Sequence, residues 1–160
     1  MPVVAVTQML QLAAAYLARQ YPRQTSSNVK WALAGRSEDK LEQLCKRLAD
    51  TNIDTIVCDV NDAEAVESVV KSTKVVANFA GTPFADKAAL VVESCARNGC
   101  HYVDITGEIC LHKASFDTCH DTCKKTGRYP HFASVASCNA RGFRSMTLCA
   151  TQHHPSWMWV

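Results

Sequence analysis

A short apolar run, Val29 to Ala34, ends at Gly35-Arg36, and the arginine stands where a buried strand would reach the surface. A guanidinium held there can pair with a phosphate through a planar two-point contact. Three more turns follow apolar runs in the same way: Asp59-Val60, Ala80 to Phe84, and Thr106 to Glu108. Open parallel sheets bind ligands beyond the carboxyl ends of their strands, so four such turns would form one rim. Each residue on it has two readings. Arg36 is either an anchor for the 2′-phosphate of an adenosine ribose or a solvated arginine at a helix start. Ser37 either adds a hydroxyl to that phosphate or caps the helix. Asp59 either accepts from an adenine amine, with Val60 beside the ring, or is a capping aspartate. Gly81 either lets backbone approach a phosphate or nicotinamide ribose, or punctuates a turn. Asp104, inside an apolar strand between Val103 and Ile105, needs partners, whether backbone amides or a site. Glu108 reads as a charge at a helix N-terminus.

The elements that must position these residues alternate two hydrophobic periods. Strands are expected at Val29–Ala34, Thr55–Cys58, Val75–Ala80 and His101–Ile105. Between them, Leu41, Leu44, Cys45 and Leu48 fall on one helical face behind Ser37. Ala65, Val66, Val69 and Val70 do the same behind Asn61 or Asp62. A helix over about Ala85–Arg97 stops at Asn98-Gly99, where glycine suits the left-handed position, and another spans about Leu111–Lys125. Leu10, Ala13, Ala14, Leu17, Ala18 and Tyr21 form an amphipathic helix stopped by Pro22, while Val3–Val6 fit a strand or the first turn of that helix. Short strands alternating with helices predict right-handed crossovers and a Rossmann-like, doubly wound parallel α/β sheet. From Arg128 onward both periods vanish. The expected organisation is a domain over 1–127 and an irregular or disordered tail over 128–160.

Composition narrows the partners. Seventeen basic residues stand against 15 acidic ones in 160, so no charge excess invites nucleic acid. No apolar run is long enough for a transmembrane span, and the first 20 residues lack the pattern of a secretory signal. Nine cysteines, an odd number, read as reduced thiols of an intracellular, cytoplasmic chain. Cys110, His112, Cys119, His120 and Cys123 crowd one stretch, but no second ligand pair stands out, so thiols on a helix are expected rather than a metal. Cys95 and Cys100 read as buried packing.

Four motifs in order carry a resemblance: Trp31-Ala-Leu-Ala-Gly-Arg36, Val57-Cys-Asp-Val60, Val76-Ala-Asn-Phe-Ala-Gly81-Thr-Pro83 and His101-Tyr-Val-Asp-Ile-Thr-Gly-Glu108. Together, over about residues 13 to 127, they resemble the NADP-binding domain of the saccharopine dehydrogenase-like oxidoreductases. The resemblance implies a nicotinamide dinucleotide cofactor and hydride transfer in full-length relatives. It assigns Arg36 to the 2′-phosphate and Gly81, Thr82 and Pro83 to the turn beside the cofactor. It also implies a homo-oligomer or association with a membrane surface or lipid droplet.

The chain departs from that pattern at its start, where the family has a strand and a glycine-rich turn that cradles the pyrophosphate. The first glycine here is Gly35. Charge-assisted hydrogen bonds contribute about 1.5–3 kcal/mol each. Losing two or three, at about 1.4 kcal/mol per tenfold, predicts weak or lost NADP binding. No residue is nominated as a catalytic proton donor or acceptor. The expectation is an incomplete, shortened cofactor domain. The alternative is a non-catalytic truncated product that acts through protein interaction or has no function.

Overall fold

The computed structural model describes residues 3–21, 29–48, 53–80, 84–106, 108–126, 130–132 and 156–159. Helix α1 (Val3–Gln20) leads into strand β1 (Val29–Gly35), followed by α2 (Glu38–Arg47), β2 (Asp54–Val57), α3 (Ala63–Lys71) and β3 (Val75–Asn78). Then come α4 (Phe84–Asn98), β4 (His101–Asp104), α5 (Ile109–Thr126), β5 (Pro130–Phe132) and β6 (Ser156–Trp159). The six strands form one sheet in the order β2-β1-β6-β3-β4-β5, and every pairing is parallel.

Local chemistry sets the element ends. Ser37 caps α2 with its side chain accepting from the Lys40 amide, and Glu38 and Asp39 sit in the favourable first turn. Of the two candidates ahead of α3, Asp62 is the cap and accepts from the amides of Glu64 and Ala65. Helix α4 ends at Gly99, whose φ of 64° is the left-handed conformation that other residues resist. The Cys100 amide then reaches back to the Cys95 carbonyl at 2.9 Å.

The strand period of two divides β1 between the two faces of the sheet. Trp31 and Leu33 pack with Ala14, Leu17, Leu41, Leu44 and Ile53 in a core under α1 and α2. Ala32 faces the other way, into a core with Val66, Val70, Val92, Cys95, Tyr102 and Leu111 under α3, α4 and α5. Helices on both faces of an all-parallel sheet make it doubly wound. The chain moves from β1 outward to β2, then crosses back over the sheet through α3 to β3 and continues to β4 and β5. The strand order reverses there, around β6.

Two expectations change. Val3–Val6, open between strand and helix, are the first turn of α1. The irregular tail expected from Arg128 is corrected at Pro130–Phe132 and Ser156–Trp159, which are strands of the sheet, so the fold draws on residues beyond 127. Three or four residues carry no readable period, and pairing with neighbouring strands decides their conformation. β6 occupies the centre, with Trp31 registered against Met158 on one side and Val75 against Met158 on the other.

Candidate functional site

Because all strands run the same way, the residues after β1, β2, β3 and β4 share one edge of the sheet. At its outer end, β1 and β2 are registered Gly35 against Val57, and the Cys58 amide donates to the Gly35 carbonyl at 3.0 Å. That places Arg36 and Ser37 beside Asp59 and Val60. The Arg36 side chain is exposed, and among the described residues no ion pair or side-chain hydrogen bond engages it. Ser37 accepts from the Lys40 amide at 3.5 Å, a long cap. Asp59 accepts through Oδ1 from the Asn61 amide at 2.9 Å and from Asn61 Nδ2 at 2.8 Å, which closes a local turn. Val60 packs against the α3–α5 core. Gly81 and Thr82 lie outside the described residues.

Beyond β6 the edge changes character. Asn78, Tyr102, Asp104 and Thr106 are all buried, and the register sets Asn78 directly beside Asp104. Asn78 Nδ2 donates to the Tyr102 hydroxyl at 3.0 Å, and that hydroxyl donates to Asp104 Oδ2 at 2.8 Å. The Thr106 amide donates to Asp104 Oδ1 at 3.1 Å. The buried carboxylate therefore has its partners, one backbone amide and one phenol. Burial raises the Asp104 carboxyl above its ordinary range, while the bonds from Tyr102 and Thr106 pull the other way. Burial and the nearby Asp104 charge push the Tyr102 phenol far up, so it stays protonated and donates. Glu108 precedes α5, its carbonyl accepting from the Leu111 amide at 3.1 Å.

Sequence reasoning singled out Asp104 and set Thr106 in a rim turn, but it missed Asn78 and Tyr102. A signal existed: Tyr102 and Asp104 are two apart on one strand and share a face, and Asn78 ends the neighbouring strand at the same level. Away from the edge, Glu67 on α3 was also missed. It accepts from Ser94 Oγ at 2.6 Å and Asn98 Nδ2 at 2.9 Å, and pairs with Lys71 and Arg97. Those hydrogen bonds, with Lys71, hold its carboxyl down at about 2.

The cysteine stretch does not converge on a metal. Cys119 and Cys123 are buried in the core while Cys110 is exposed. Among the described residues, no group of three His, Cys, Asp or Glu side chains is placed to hold one. Cys95 and Cys100 are both buried as free thiols. No helix among the described residues is long and apolar enough to cross a membrane.

What the edge can hold follows from its donors. The outer end offers an exposed guanidinium and a hydroxyl, the donor set that suits a phosphate monoester on an adenosine ribose. A pyrophosphate cradle is not matched, because no glycine precedes Gly35 in the sequence.

Comparison with known proteins places the chain in a family. The family described as "Saccharopine dehydrogenase NADP binding domain" matches residues 13–130. A mouse saccharopine dehydrogenase-like oxidoreductase is 32% identical over 97 residues, covering 56% of this chain and 22% of the relative. A trans-acting enoyl reductase of Mycobacterium ulcerans (strain Agy99) is 29% identical over 140 residues, covering 86% of this chain and 32% of that protein. Among solved structures, the apo L-Glu-forming saccharopine dehydrogenase of Saccharomyces cerevisiae superposes with a TM-score of 0.55. It is 19% identical over 80% of this chain and 24% of the other, a likeness of fold. The chain thus spans between about a fifth and a third of the length of these relatives. It belongs to the saccharopine dehydrogenase NADP-binding domain family.

Proposed function

We propose that this member of the family binds NADP(H) weakly, in preference to NAD(H), and is the cofactor-binding part of an oxidoreductase. The observation that carries the reading is the exposed, unengaged Arg36 guanidinium at the carboxyl end of β1, beside Ser37 and the end of β2. A 2′-phosphate is what such a group selects, because a 2′-hydroxyl offers it no charge. Asp59 and Val60 border the adenine, and Gly81 and Thr82 the nicotinamide side. The cofactor supplies a hydride when bound. The chain's own residues supply binding and orientation, and none is assigned to proton transfer. The sequence ahead of Gly35 lacks the glycine turn, so affinity is expected to be low.

Titration of the purified chain with NADPH and with NADH tests this. A saturable signal with NADPH at or below millimolar concentration, and a weaker one with NADH, is expected. Arg36→Ala should weaken NADPH by about tenfold or more, the worth of one charge-assisted contact, and erase the preference. No saturation at millimolar NADPH overturns the reading.

A second reading rests on the exposed apolar side chains of α5, Ile109 and Phe116, which suit a contact with another protein. A cooperative melt raised by NADPH favours the first reading, and a broad, ligand-insensitive melt the second. In either case hydride transfer is expected of full-length relatives, as the resemblance implies. Self-association and attachment to a lipid surface rest on resemblance to relatives, and sedimentation with and without lipid vesicles tests both.

A further inference from the structure

Helices α4 and α5 leave a groove of about 230 Å³ between them. Its lining is mostly apolar: Ala89 and Val92 of α4, and Leu111, Ala114 and Cys119 of α5. On α5, Ala114 lies four residues after Cys110 and four before Thr118, so the three share one stripe that borders the groove. Ala89 and Ala114 are short, which leaves the space between the two backbones unfilled. The polar groups at the groove differ in what they already hold. Thr118 Oγ1 donates to the Ala114 carbonyl at 2.8 Å, and Glu93 pairs with Arg97. Ser115 is only 4% exposed, and among the described residues its hydroxyl has no hydrogen-bond partner. A buried hydroxyl without a partner is costly, and an acceptor oxygen entering the groove would satisfy it. Cys110 stands at the mouth of the groove, and among the described residues it is the one exposed free thiol.

We propose that this groove is a covalent modification site for α,β-unsaturated aldehydes with an apolar tail, and that Cys110 is its nucleophile. The Cys110 thiol gives its proton to water, and the thiolate attacks the β-carbon of the aldehyde. The π pair of the double bond moves to form an enolate, and Ser115 Oγ donates to the aldehyde oxygen where that charge develops. The α-carbon then takes a proton from water. The sum is addition of S–H across the double bond, with no oxidant and no leaving group. Cys110 and Ser115 are five residues apart on one helix, about 7.5 Å along its axis, so one small reactive head reaches both. The tail lies over Ala114, Ala89 and Val92, where its methylenes leave water. The site uses none of the residues assigned to NADP(H), so it stands or falls apart from that reading.

The test treats the full chain with trans-2-nonenal and with crotonaldehyde, which share the reactive head and differ in the tail. Peptide mass spectrometry reads adduct formation at Cys110, and each rate is divided by that of N-acetylcysteine with the same aldehyde. The relative rate for nonenal should exceed that for crotonaldehyde by about tenfold, the worth of about two buried methylenes. Ala114→Glu, at an exposed position, should erase that preference by placing a charge where the tail lies. Ser115→Ala removes only an unpartnered hydroxyl, and it should slow both aldehydes at Cys110 by about threefold or more. Circular dichroism confirms that both variants are folded. Equal relative rates for the two aldehydes, a preference that survives Ala114→Glu, or no slowing in Ser115→Ala overturns the proposal.

Discussion

The two halves of the rim solve opposite problems. Around Arg36 the neighbouring side chains are only half-buried, with Ser37 capping at 3.5 Å and the exposed guanidinium uncommitted. Around Asp104 they are buried and joined by hydrogen bonds of 2.8 to 3.1 Å. An uncommitted charge can meet a charged ligand without first breaking a pairing of its own. The Ala80 backbone amide, tied to Asn78, is fixed in advance. One half leaves a charge uncommitted, and the other fixes its groups in a network.

The largest effect is expected beneath the open half. Trp31 is fully buried under α1 and α2, and its Nε1 donates to the Tyr21 carbonyl at 3.2 Å. Trp31→Ala should lower unfolding free energy by about 3–5 kcal/mol in urea titration, showing that only the tip of this half is loose. Tyr102→Phe should lose about 1–3 kcal/mol, since it strands buried partners on Asn78 and Asp104. Asp62→Ala, which removes the α3 cap, should lose about 1 kcal/mol. Arg36→Ala should stay within about 0.5 kcal/mol of wild type. A loss at Arg36 as large as that at Tyr102 would erase the contrast between the halves.

The smallest effect is a pH dependence away from the rim. The Glu67 carboxyl is held at about 2, below its ordinary 4.5, by Ser94, Asn98 and Lys71. A depressed carboxyl stabilises the fold above pH 4.5, and that contribution fades as pH falls toward about 2. The gap in melting temperature between wild type and Glu67→Gln should therefore be present at neutral pH and shrink across that range. A gap that stays constant with pH would mean the Ser94 and Asn98 bonds do not depend on the charge.

Much of this was legible in the residues themselves. The period of two in β1, the caps at Ser37 and Asp62, and glycine at position 99 each rest on local chemistry, so each element lies within a residue or two of where it is expected. The four rim turns followed from the elements. The polar network was only half legible, because Asp104 is conspicuous in an apolar strand whereas Asn78 and Tyr102 become its partners only through the register of β3 with β4. β5 and β6 were not legible at all. Their conformation comes from pairing with distant strands, a cause that no local window contains.

β1 and β3 share no backbone ladder, and each pairs instead with one side of the four-residue strand Ser156–Trp159. That strand is the keystone of the sheet. Drawing it out would bare two facing rows of amides and carbonyls at once, both flanked by apolar neighbours. Such edges recruit strands from other molecules, so loosening this small central piece would open the sheet to aggregation.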